Sequence, residues 1–243
     1  MTYSNQPNFK ALSDRYGFDI LAFDVLASDL SLLKDLNPFI SEVGIDGGSI
    51  VDMILGYPVN DYDVRYSVYN ESIKEYSREC LCENVKGTLD NPNFKLLNRK
   101  NADVGNINEG GLNLSLLYKY QNGLCVNSCF TNMVLFTSEN KLIGSEKSFK
   151  ALMDREYVPN FYGYFQYSYT VFPRKNFHEL LLEMLVRGVA YISKRNLKCH
   201  QDFKIIIDQY PKIKSEVKNY EKIIRLKFQN VEDFESFLQR FAK

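Results

Sequence analysis

Gly47-Gly48-Ser49-Ile50-Val51-Asp52-Met53-Ile54-Leu55-Gly56-Tyr57-Pro58, running on into Asp61-Tyr62-Asp63, is the stretch on which the reading of this chain turns. Val43-Gly44-Ile45 just before it suggests a short buried strand, and the glycine pair permits a tight turn with its backbone N–H groups exposed. The helix that follows would aim its orphan N–H groups and positive dipole end at whatever sits above the glycines. That geometry favours phosphate, and Ser49 adds a hydroxyl. Gly56 reads as a left-handed stop and Pro58 forbids resumption of the ladder, so Leu55 is expected to be the last helical residue.

Residues 60–69 are rich in Tyr and Val and read as a strand. In a strand, Asp61 and Asp63 point to one face with alpha carbons about 6.6 Å apart, from two rises of about 3.3 Å. Carboxylates so placed can converge on Mg2+, whose hard oxygen ligands include nucleotide phosphates. An Asp-x-Asp or a Gly-Gly taken singly is weak, since both arise by chance in solvated turns. The ordered series of strand, Gly-Gly-Ser, short helix, Gly, Pro and Asp-x-Asp is the informative signal.

This segment resembles the first motif of the tRNA nucleotidyltransferase and poly(A) polymerase family, of the polymerase-beta-like nucleotidyltransferase superfamily. The family pattern is Gly-Gly-x-Val-Arg-Asp-x-Leu-Leu-Gly followed by Asp-x-Asp, and Gly47, Gly48, Asp52, Leu55, Gly56, Asp61 and Asp63 match it. Downstream, Leu112 to Leu117 is similar to the next core strand, and Ser128-Cys129-Phe130-Thr131-Asn132 falls where the family has Asp-Phe-Thr-x-Asn. Lys141-Leu142-Ile143-Gly144 and Phe149-Lys150-Ala151-Leu152 resemble a later strand and helix. Residues 178–197 resemble the neck helix, with Arg187 at a basic position.

Three departures stand out. Val51 replaces the motif arginine, and Val126, Asn127 and Ser128 replace the Arg-Arg-Asp that opens the second motif. None of these can supply a guanidinium fork. Asn113 sits where a third carboxylate is expected, with Asp103 and Glu109 as less persuasive substitutes.

The chain has 243 residues, 45% hydrophobic and 14% aromatic, enough for a substantial core and two lobes. No apolar run approaches a membrane span and the polar start is not a signal peptide, so a cytoplasmic protein without membrane association is expected. Residues 171–243 hold 15 Lys and Arg against 9 Asp and Glu, and the remainder 15 against 21. A basic tail beside an acidic head suits an enzyme that grips RNA, while Lys194, Arg195, Lys198, Lys212, Lys214, Lys218 and Lys222 also read as ordinary solvated helix faces. Cys80, Cys82, Cys125, Cys129 and Cys199 have neither disulfide-scaffold nor good zinc spacing and read as reduced core residues. With His178 and His200 alone, a histidine triad or metal cluster has little material.

Residues 23–36 carry helical spacing with Leu26, Leu30 and Leu33 on one side, and 71–82 reads as a further helix. The aromatic run Tyr157, Phe161, Tyr162, Tyr164, Phe165, Tyr167, Tyr169 and Phe172 suggests a strand or hairpin; core packing is favoured over base stacking. Asn176 reads as the cap of a long helix, followed by helices over 203–209, 215–228 and 231–242.

The expected fold class is therefore α+β: by resemblance, a nucleotidyltransferase head with a mixed sheet over residues 1–172, then an all-helical neck-like domain over 173–243. The resemblance implies a Mg2+-dependent transferase that moves a nucleoside monophosphate from a nucleoside triphosphate such as ATP to an acceptor hydroxyl, foremost an RNA 3′ end as in tRNA processing. Asp61 and Asp63 would be catalytic and metal-binding; Gly47, Gly48, Ser49 and Arg187 would bind nucleotide. The alternatives are a catalytically degenerate nucleotide- or RNA-binding module, or transfer to a protein or small-molecule hydroxyl. Oligomeric state is left open.

Overall fold

The structure is a computed structural model and describes residues 9–69, 76, 78–104, 134–161, 164, 165 and 175–241. Two compact units divide it: among the described residues the first runs to Phe149 and the second begins at Lys150. The expected readings over 112–117 and 125–133, and those at Glu109, Tyr162, Tyr167, Tyr169 and Phe172, lie outside the described residues.

The first unit opens with α1 (Phe9–Tyr16) and α2 (Ile20–Asp35). Asp19 caps α2 by accepting the Leu21 N–H, which moves the helix start three residues ahead of the apolar spacing that signals it. Phe23, Leu26, Leu30 and Leu33 form its buried stripe, with no exposure at any of the four. β1 (Ile40–Asp46), α3 (Gly48–Leu55) and β2 (Tyr62–Val68) follow. Leu55 closes α3 and Gly56 adopts the left-handed conformation at φ 75°, as the motif requires, with the Tyr57 N–H donating back to Asp52 O.

α4 (Arg78–Thr88) runs six residues beyond its expected end because Leu81, Cys82, Val85 and Leu89 recur at helical spacing and are all buried. Among the described residues, β3 (Ala102–Val104), β4 (Leu135–Thr137) and β5 (Leu142–Ile143) join β1 and β2 in a five-stranded sheet in the order β3-β2-β1-β4-β5. β2 and β3 are parallel and the other neighbours antiparallel, so the sheet is mixed. Gly44 lets β1 and β4 close up, since a Cβ there would lie 2.8 Å from Phe136 O. One buried anchor fixes the approach to β3: the Asp29 carboxylate on α2 accepts the N–H groups of Lys95, Leu96 and Leu97 at 2.6–3.1 Å.

α5 (Glu146–Met153) leads into the second unit, whose long helix α6 (Phe177–Arg195) begins with a reciprocal capping box between Asn176 and Glu179. β6 (Glu156–Tyr157) and β7 (Lys198–Cys199) form a short parallel pair within an otherwise helical region. α7 (Gln201–Asp208), α8 (Tyr210–Glu216), α9 (Tyr220–Ile224) and α10 (Val231–Phe241) pack on α6 and on one another. The single helix expected over 215–228 is broken, because buried Val217 takes an extended conformation between α8 and α9.

Of the described part of the aromatic run, Tyr157 and Tyr164 are buried and Phe161 and Phe165 half-buried; Tyr157 lies in a strand, but Phe161, Tyr164 and Phe165 are helical, not the strand or hairpin that alternation suggests. Arg195 is buried too, its guanidinium carbon 3.8 Å from the Tyr191 ring centroid, which removes it from the basic surface; Lys194, Lys198, Lys212, Lys218 and Lys222 are exposed. Among the described residues, no helix is long and apolar enough to cross a membrane.

Candidate active site

The site is built where β1 hands over to α3. Gly47 has φ 91° and ψ −154°, a conformation that glycine tolerates and side chains resist. A Cβ at Gly47 would also stand 2.7 Å from Asp63 Oδ2, so the turn and the carboxylate are fitted to each other. No side chain caps α3, in contrast to α2 and α6, and the backbone of Gly48 and Ser49 forms its first turn. The Ser49 hydroxyl is buried and turned back to Asp46 O at 3.5 Å, so Ser49 presents its backbone rather than its side chain.

β2 starts at Tyr62, where the Tyr62 N–H donates to Asn101 O and pairing with β3 begins. Asp61 therefore precedes the strand, and the two-residue alternation expected to align it with Asp63 does not reach it. It is exposed but close enough for its charge to act on Asp63. Within β2, Tyr62, Val64 and Tyr66 face the core while Asp63 and Arg65 share the other face.

Register adds what local sequence does not reveal. Asp63 pairs with Asp46 on β1 and with Asp103 on β3, so three aspartates form a row across adjacent strands. Paired strands lie about 4.8 Å apart, which crowds these carboxylates. Arg65 enters from one side, its Nε 3.2 Å from both carboxylate oxygens of Asp46. Burial, then the Asp46 charge, pushes the Asp63 carboxyl up to about 6; Arg65 opposes this, and Asp61 and Asp103 add to it.

Among the described residues no three His, Cys, Asp or Glu side chains are gathered to hold a metal by themselves. Mg2+ characteristically takes one or two protein carboxylates and completes its shell with water and substrate phosphates. Asp61 and Asp63 fit that demand: both are hard oxygen donors, and the negative charge crowded on Asp63 is what a divalent cation relieves.

Arg187 lies exposed on α6, in the second unit, whereas Gly47, Gly48, Ser49, Asp61 and Asp63 belong to the first. Val51, at the position of the motif arginine, is fully buried in α3. Asn113 and Val126, Asn127 and Ser128 lie outside the described residues, while Asp103 occupies a strand position beside Asp63 that its spacing did not reveal. Asp46 and Arg65 were missed. Their only sequence signals are adjacency to Gly47 and the two-residue step from Asp63.

No protein-family model matches the chain, and no curated protein matches it. Solved structures do. A CCA-adding enzyme solved in complex with ATP matches with a TM-score of 0.52 at 12% identity, covering 99% of this chain and 55% of that one. A CCA-adding enzyme solved with CTP gives 0.48 at 14% identity, covering 93% and 53%. The chain thus spans about half the length of these enzymes. The likeness is one of fold: an α+β chain with a mixed sheet and a helical C-terminal region, similar to the fold of a CCA-adding enzyme.

Proposed function

We propose that this protein is a Mg2+-dependent nucleotidyltransferase that moves a nucleoside monophosphate from a nucleoside triphosphate to an acceptor hydroxyl, with an RNA 3′ end as the acceptor class. The observation that carries the reading is the Gly47 turn fitted against the Asp63 carboxylate at the head of α3. It occurs in a fold similar to that of an enzyme solved with ATP.

In this reading the backbone of Gly47, Gly48 and Ser49 receives the triphosphate at the positive end of α3. Asp61 and Asp63 hold the metal. Once bound, Mg2+ would supply positive charge to the phosphate oxygens and to the acceptor oxygen. The acceptor hydroxyl gives its proton to water as its oxygen bonds to the α-phosphorus, the bond from that phosphorus to the bridging oxygen breaks, and pyrophosphate leaves. Arg187, together with exposed Lys194, Lys198, Lys212, Lys218 and Lys222 of the second unit, would contact nucleotide or RNA.

A second reading, nucleotide or RNA binding without catalysis, draws on Val51: a fully buried valine cannot contact phosphate where the resembling motif has arginine. Transfer to a protein or small-molecule hydroxyl would use the same triphosphate site. The experiment that decides is incubation of the full chain with each labelled nucleoside triphosphate, Mg2+ and a pool of small RNAs. Label transferred to RNA, and lost in Asp63→Asn, supports the enzyme; Mg2+-dependent binding without transfer supports the second reading.

A further inference from the structure

Within the first unit, α2 forms one wall of a solvent-open groove of about 550 Å3, along which Asp24, Ser28, Ser31 and Asp35 follow one another at helical spacing. Ser138 and Asn140, from the turn between β4 and β5, supply the other wall. Asp24 and Asp35 stand three helical turns apart, roughly 16 Å along the axis and nearly in line. The polar groups between them share one character. Ser28 donates its hydroxyl proton to Asp24 O at 2.9 Å and Ser31 donates to Ser138 O at 3.1 Å, so to a ligand both oxygens offer lone pairs. Asn140 donates an amide proton to Asp24 Oδ1 at 2.7 Å, which leaves its own amide oxygen as an acceptor. The exposed Asp35 carboxylate pairs with no cation among the described residues, and it closes α2 at the negative end of the helix, where a positive charge is favoured. The cations nearby answer to other carboxylates: Lys34 acts on Glu42 and Glu139, and Lys141 is bound to Glu139.

We infer that this groove is a binding site for a linear aliphatic polyamine, its end ammonium groups on Asp24 and Asp35 and an inner nitrogen on the Ser28 and Ser31 oxygens. Ala27 and Leu32, which also line the groove, meet the methylene runs between nitrogens. A protonated polyamine carries N–H donors and no acceptor, the complement of a wall whose serine protons are already committed to carbonyls. A basic peptide would bring backbone carbonyls, for which those serines have no proton left to give. The groove shares no residue with the Gly47 turn or with Asp61 and Asp63, so the inference does not depend on the nucleotide reading.

The test is calorimetric titration of the full chain with spermine, and with two diamines of equal charge and unequal reach, putrescine and a ten-carbon α,ω-diamine. Spermine is expected to bind, and the ten-carbon diamine to bind more tightly than putrescine, which is too short to span the two carboxylates. Asp24→Asn and Asp35→Asn should each weaken spermine by about threefold, and the double variant by about tenfold, as exposed ion pairs would. Glu79→Gln, which removes an exposed carboxylate on α4 outside the groove, should leave spermine binding unchanged, as should Asp63→Asn. Thermal unfolding shows whether each variant is folded; if the groove variants are not, amide shifts in the unaltered chain carry the test, and they should centre on residues 24–35 and 138–140 when spermine is added. No spermine binding, equal affinity for the two diamines, shifts centred elsewhere, or an equal loss in Glu79→Gln or Asp63→Asn would overturn the inference. So would tighter binding of a tetralysine peptide than of spermine, which would make the occupant a basic peptide.

Discussion

Gly47 and Asp63 occupy each other's space: the carboxylate Oδ2 lies 2.7 Å from where a Cβ on Gly47 would be. The turn is therefore glycine for two independent reasons, its positive φ and this close approach. Gly56 offers the comparison, since its φ is also positive but no atom lies within 4 Å of a Cβ there. Gly56→Ala should cost about 1 kcal/mol of strain, and Gly47→Ala about 1–2 kcal/mol more because the Asp63 side chain must move. Urea unfolding of the two variants reads the difference directly.

The Asp63 carboxyl gives a pH signature. Its ordinary value is 3.8 and the folded value is about 6. Below about pH 4 it is protonated in both states; between about 4 and 6 the unfolded chain has lost the proton and the folded chain keeps it; above about 6 both are ionised. The folded state thus binds more protons in that window, and this group makes stability fall as pH rises from about 4 to 6. The full penalty stands at neutral pH. Asp63 is only partly buried, so solvent screening limits the effect to the order of 1 kcal/mol. Asp63→Asn should remove this contribution from the stability profile. Added Mg2+ should raise the melting temperature more at pH 7.5 than at pH 5, where binding must displace a proton.

How much of this was legible in the sequence depends on whether the determinant is local. The start of α3 at Gly48, its end at Leu55, the left-handed Gly56 and the Asn176 cap are set by residues within a turn of one another, and they fall where the spacing places them. The row of Asp46, Asp63 and Asp103 depends on pairing between strands far apart in sequence, and no periodicity in a three-residue β3 announces it. Asp61 lies just outside β2 for the same reason: the strand begins where β3 pairs with it. The break at Val217 depends on that side chain being buried in the extended backbone, which helical spacing alone does not foresee.

Asp29 is a second, buried determinant of the site, acting at a distance. Its carboxylate ties down the backbone of Lys95, Leu96 and Leu97 ahead of the strand that carries Asp103. Hydrogen bonds to a charged acceptor contribute about 1.5–3 kcal/mol. Asp29→Asn should therefore destabilise by about 2 kcal/mol, and Asp29→Ala by more, because it leaves those amides without their acceptor. Hydrogen exchange should show the protection of residues 95–104 falling first.

Packing in the second unit is tight enough to reverse a propensity rule. Alanine is favoured over glycine inside a helix by about 1 kcal/mol. At Gly188, however, a Cβ would lie 2.3 Å from Phe203 Cζ and 2.8 Å from Tyr157 OH, and both rings are fully buried. Overpacking costs about 1–3 kcal/mol and should win, so Gly188→Ala lowers the thermal midpoint despite its better helix propensity.

The central claim is that the Gly47 turn and Asp63 form one Mg2+-dependent triphosphate site. NMR of the isotopically labelled full-length chain tests it most directly, by following backbone amide shifts as ATP is added with and without Mg2+. The account predicts Mg2+-dependent shifts centred on Gly47, Gly48, Ser49 and Asp63 that vanish in Asp63→Asn. Shifts that ignore Mg2+, that map away from this turn, or that persist in Asp63→Asn would contradict it.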